Sequence, residues 1–96
     1  MDSLVDVTQE EKGDVLILKI SGRLDATSSP LLEKKVLSFI EAGKWKLLLN
    51  FEKVEYLSSA GMRLLLATTK KLKSKDGKMV VTCIADNVLE VIKMAG

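Results

Sequence analysis

The chain has 96 residues, 47% of them apolar and 29% charged, with a formal net charge of +2. That length suits one domain with a real core, and so small a charge gives no reason to expect nucleic acid as a direct partner. Histidine is absent, which removes the commonest general base, the usual partner of a nucleophilic serine and the commonest zinc ligand.

No apolar run approaches the roughly 18 residues of a membrane span. The N-terminus carries Asp2 and Asp6 and no leading basic cluster, unlike a signal peptide. The expectation is a cytoplasmic protein with no membrane attachment. Cys83 is the sole cysteine, so no internal disulfide can form. Its setting in Met79-Val80-Val81-Thr82-Cys83-Ile84 predicts a buried strand residue rather than a reactive thiol.

In chain order, Leu4 to Glu11 alternate weakly, and Lys12-Gly13-Asp14 supplies a hairpin turn. Val15 to Ile20 is a stronger apolar run broken only by Lys19, and it is expected to stop at Ser21-Gly22. A polar connection, Arg23 to Ser29, leads to Ser29-Pro30, which reads as a serine cap followed by proline at the first helical position. The helix buries Leu32, Val36, Phe39 and Ile40, at helical spacing, and Gly43 ends it.

Trp45 to Phe51 is the expected third strand, with Glu52 to Glu55 leading away from it to Ser58 and Ser59. A second helix follows, with Gly61, Leu64, Leu65, Thr68 and Leu72 on one stripe and Arg63, Lys70, Lys71 and Lys73 on or near the other side. Asp76-Gly77 turns the chain into a fourth strand, Met79 to Ile84. Asp86 or Asn87 caps a last helix that carries Val88, Val91 and Ile92 inward.

The resulting order is β-β-α-β-α-β-α: an α/β fold whose mixed sheet begins with an antiparallel hairpin and continues as parallel strands joined by helices. The loops 23–29, 54–60 and 85–87 then emerge at one end of the sheet, the carboxyl ends of the parallel strands, where open sheets place binding sites. Asp25, Thr27, Ser58, Ser59 and Asp86 become neighbours there.

The simplest reading of Ser58 and Ser59 is a helix cap. A nucleophilic serine is disfavoured because no base stands in the turn, and Ser-Ser-Ala-Gly lacks the glycine spacing and lysine of a phosphate loop. Asp25 has no second carboxylate at ligand spacing, so neither a metal nor a cofactor is expected. The lysines from Lys70 to Lys78 read as a solvated helix end rather than a nucleic-acid surface.

Three stretches nevertheless resemble one family: Gly22-Arg23-Leu24-Asp25-Ala26, then Val54-Glu55-Tyr56-Leu57-Ser58-Ser59-Ala60-Gly61-Met62-Arg63, then Asn87 to Gly96. Together they are similar to the STAS domain of bacterial anti-sigma factor antagonists, and the resemblance spans about Leu4 to Gly96. It implies a non-enzymatic module that binds an anti-sigma factor serine kinase. Phosphorylation of a serine in the turn ends that binding, and a serine phosphatase restores it.

Aligning on Gly61 makes Ser59 the phosphoacceptor, with Ser58 as second choice. Ser58 occupies the place where the family usually has aspartate. The same carry-over makes Asp25, Thr27, Ser58, Ala60, Gly61, Met62 and Arg63 the partner-binding residues. It also implies that this chain, one domain over 1–96, lacks the family's usual last strand and helix. Two other roles fit such a module: a small-ligand or nucleotide-binding regulatory domain, and a STAS subunit of a transporter or a stress-sensing assembly.

Overall fold

A computed structural model describes residues 5–95, without the side chains of Val91, Met94 and Ala95. Expectations for Leu4, Gly96 and the inward side chain of Val91 therefore lie outside the described residues. The elements are β1 (Val5–Lys12), β2 (Val15–Leu24), α1 (Ser28–Glu41), β3 (Lys46–Leu57), α2 (Ser59–Lys73), β4 (Lys78–Thr82) and α3 (Asp86–Ala95). The sheet order is β1-β2-β3-β4. The β1/β2 pair is antiparallel and the β2/β3 and β3/β4 pairs are parallel, so the expected architecture is the observed one.

One face of the sheet carries the core. Leu16, Leu18 and Ile20 of β2 and Leu47, Leu49 and Phe51 of β3 are buried at the period of two that a pleated strand imposes. Leu32, Val36 and Ile40 of α1, Leu64, Leu65 and Leu72 of α2 and Val88 of α3 join them in one cluster. Phe39, expected inside, is only half-buried. On the opposite face Lys19 and Val80 are exposed, and Val15, Ile17, Leu48 and Asn50 are half-buried.

Several boundaries depart from expectation. β2 continues past Ser21-Gly22 to Leu24, and β3 continues past Phe51 to Leu57. The β2/β3 ladder shifts register between Lys19 and Ser21 and again between Gly22 and Arg23. Gly22 takes a φ of 108° there, a conformation that glycine adopts without steric cost. In consequence Phe51, Val54 and Leu57 are buried at a spacing of three residues, and no alternation of two betrays the strand.

The start of α1 also differs. It begins at Ser28, and Asp25 rather than Ser29 satisfies its free donors: Asp25 Oδ1 accepts the Thr27 and Ser28 N–H groups, each at 2.9 Å. Ser29 is buried, and among the described residues its hydroxyl has no partner. Pro30 stands third in the helix rather than first. A carboxylate is a stronger acceptor than a hydroxyl for amide groups at a helix start, so the aspartate takes the capping role. Gly43 follows the end of α1 as expected, with φ 92°.

β4 stops at Thr82, short of Ile84. Cys83 adopts φ 59° and is exposed, which corrects its assignment as a buried strand residue. Once the strand ends, the left-handed residue turns its side chain out of the sheet. In α3, Asp86 is the first residue. Asn87 sends its amide to the Glu55 carbonyl of β3 at 3.3 Å, so it ties the helix to the sheet. Among the described residues, no helix is long and apolar enough to cross a membrane.

Candidate functional site

β3 ends at Leu57 and α2 begins at Ser59, so Ser58 alone makes the turn. Its backbone is extended, with φ −90° and ψ 175°, as an N-cap residue requires. Its hydroxyl oxygen accepts the Gly61 N–H at 3.2 Å, while its hydroxyl proton goes to the Leu24 carbonyl at 2.8 Å. The Ser58 N–H donates to the same carbonyl at 2.9 Å. Ser58 thus caps α2 and also pins it to the end of β2.

Gly61 explains why the two segments approach so closely. A Cβ at that position would lie 2.5 Å from Leu57 Cδ1, 3.1 Å from Leu24 Cβ and 3.2 Å from the Leu24 carbonyl oxygen. Ser59, one residue past the cap, has the opposite environment: it is exposed, and among the described residues its hydroxyl has no hydrogen-bond partner. One serine is committed to structure and its neighbour is free.

The neighbouring loops converge as the topology requires. Asp25 lies directly after Leu24, and its carboxyl is held below the usual carboxylate range. The Ser28 N–H is the largest cause; the Thr27 N–H, the Ser28 hydroxyl and the Arg23 charge add to it, and burial opposes them. Ser28 also donates its hydroxyl to the Arg23 carbonyl. Asp25 therefore stays ionised at neutral pH, with its charge partly spent on the start of α1.

Thr27 is exposed, and although it occupies the cap position of α1 its side chain makes no cap bond. Arg63, one turn along α2 from Ser59, is exposed and has no ion pair among the described residues. Gly61 and Met62 are buried and Ala60 is half-buried. Gly61 and Met62 therefore support the turn from beneath.

Two further features belong to this end of the sheet. The Arg23 guanidinium stacks over the Tyr56 ring at 4.4 Å, and Tyr56 is 40% exposed. The two residues are register partners in the β2/β3 ladder, a pairing hidden from the sequence by the shifts before it. Asn87 brings the start of α3 to Glu55. Among the described residues, no group of three or more Cys, Asp or Glu is placed to hold a metal ion.

The model of the STAS domain matches residues 6–96. The chain belongs to the STAS domain family. An anti-sigma-B factor antagonist of Staphylococcus aureus is 25% identical over 96 residues, covering 100% of this chain and 87% of that protein. The crystal structure of an anti-sigma factor antagonist from Mycobacterium paratuberculosis superposes with a TM-score of 0.87 at 25% identity, covering 96% of this chain and 78% of that one. The phosphorylated form of the Bacillus cell fate determinant SpoIIAA superposes with a TM-score of 0.76 at 19% identity, covering 95% of this chain and 84% of that one. At that identity the last likeness speaks for the fold.

Proposed function

We propose that this STAS domain is a cytoplasmic anti-sigma factor antagonist that binds an anti-sigma factor serine kinase, is switched off by phosphorylation of Ser59, and is restored by a serine phosphatase. The observation that carries the reading is the division of labour in the turn. Ser58 uses both its oxygen and its proton inside the fold, whereas Ser59 offers an exposed hydroxyl with no partner among the described residues. A kinase needs the second kind. The relatives named as anti-sigma factor antagonists support the partner class.

A phosphate on Ser59 adds about −1.5 to −2 charge and three acceptor oxygens at pH 7. It would sit at the first residue of α2, where unpaired N–H groups and the helix dipole favour an anion, so the fold tolerates it. The interface does not. A surface that was buried against the kinase would have to accept an anion without a prepared cation, at about 2–5 kcal/mol, or roughly 30-fold to several thousand-fold in affinity.

The domain acts by binding and by being modified, with no catalysis of its own. Incubation with ATP and the cognate kinase, followed by peptide mass measurement, should add one phosphate at Ser59 and none at Ser58. Titration calorimetry should find Ser59→Ala binding like the unmodified protein and Ser59→Asp markedly weaker. Equal affinities for all three folded proteins would remove Ser59 from the switch.

A further inference from the structure

Far from this turn, at the opposite end of the sheet, the helix-free face holds a groove of about 230 Å³. Val15, Leu48 and Val80 form its apolar floor, and Lys46 and Lys78 stand at its rim. Register explains the arrangement: Leu48 of β3 lies beside Val80 of β4, and Lys46 lies beside Lys78. An apolar row is thus followed, two residues earlier along both strands, by a row of two ammonium groups.

Adjacent strands lie about 4.8 Å apart, and like charges placed directly opposite one another destabilise a sheet. Lys46 has a counter-charge, Asp14, at 2.5 Å. Lys78 has no ion pair among the described residues. The rim therefore carries an unbalanced cation beside a strip that water solvates poorly. What complements both at once is a molecule with an anionic head and an apolar body.

We propose that this groove binds an amphipathic anion, an aliphatic chain ending in a carboxylate, with the head at Lys78 and the chain over Leu48 and Val80. An apolar cavity of about 150 Å³ accepts benzene, so a groove of about 230 Å³ has room for a medium-length chain. The site rests on residues separate from those of the Ser59 switch.

The test uses decanoate, with decyltrimethylammonium as a probe of the same chain and opposite head charge. Decanoate, held below its micellar concentration, should titrate saturably. In a ¹⁵N-labelled sample the amide shifts should concentrate on residues 15–17, 46–48 and 78–80. The cationic probe should leave those amides unmoved. Lys78→Glu, at an exposed position, should weaken decanoate by about ten-fold or more, the worth of one charge-assisted contact.

Shifts spread over the whole surface, equal binding of both probes, or an undiminished titration by folded Lys78→Glu would overturn the proposal. So would sedimentation showing that a second copy of the chain covers the groove. The shift map of the unsubstituted protein decides the matter even if the variant fails to fold.

Discussion

Ser58→Ala isolates the structural half of the serine pair. The substitution removes the acceptor for the Gly61 N–H, the loss of an N-cap, which costs about 0.5–2 kcal/mol. It also removes the donor to the Leu24 carbonyl. That carbonyl keeps the Ser58 N–H, so the second loss leaves no buried group unsatisfied and adds only about 0.5 kcal/mol. The expected total is about 1–2.5 kcal/mol. At about 4–8 °C per kcal/mol for a domain of this size, the melting temperature should fall by roughly 4–20 °C. Ser59→Ala, at an exposed hydroxyl with no partner among the described residues, should stay within about 0.5 kcal/mol of the parent. Ser58→Asp keeps an acceptor at the cap and adds a charge that the dipole of α2 favours, so it should recover most of the loss. Urea unfolding followed by circular dichroism measures all three. If Ser59→Ala proves as costly as Ser58→Ala, the two serines are not divided as described.

Other consequences are open to direct measurement. Gly61→Ala should destabilise by up to about 2 kcal/mol, because the crowding of its Cβ against Leu57 and Leu24, about 1–3 kcal/mol, is offset only in part by a gain in helix propensity of about 1 kcal/mol; a more stable variant would contradict the packing. The lowered pKa of Asp25 means that its contribution to stability is fully present above its unfolded value of about 3.9 and is lost as pH falls from there through the folded value. Asp25→Asn should remove that part of the acid dependence in pH-scanned unfolding, and an unchanged acid limb would show that the N–H bonds to Asp25 contribute nothing. Cys83, exposed at the end of β4, should react with a disulfide reagent such as DTNB in the native state at a rate near that of a free thiol; a requirement for denaturant would refute its exposure.

The framework was legible because two kinds of pattern are written plainly in this chain. The spacing of Leu32, Val36 and Ile40, and of Gly61, Leu64, Leu65, Thr68 and Leu72, follows the helical period, and all these residues are buried. The helices between strands then dictate parallel pairing and place the loops at one end. What stayed hidden is what depends on cooperation between distant residues. The second half of β3 is invisible because its buried positions, Phe51, Val54 and Leu57, follow a spacing that only the bulged partner strand imposes. Asp25 displaced Ser29 as the cap of α1 because side-chain acceptors compete, and residue preference alone does not show which one reaches the amides. Cys83 sits in an apolar run, and nothing local reveals that β4 ends one residue before it.

The same distinction governs the turn. A motif places two serines side by side, and their preferences as caps are identical. Only the position of Leu24, 34 residues before Ser58, separates them. Its carbonyl takes both the amide and the hydroxyl of Ser58, which leaves that side chain no freedom and sends the next one outward. A turn organised in this way can hold its shape while its exposed residue changes charge, since among the described residues the Ser59 side chain makes no hydrogen bond to the scaffold. An aspartate at position 58 would cap the helix without holding β2 in the same way. Both side chains present an oxygen to the amide of Gly61, and the serine hydroxyl adds a link to β2 that a carboxylate, having no proton to donate at neutral pH, would lack.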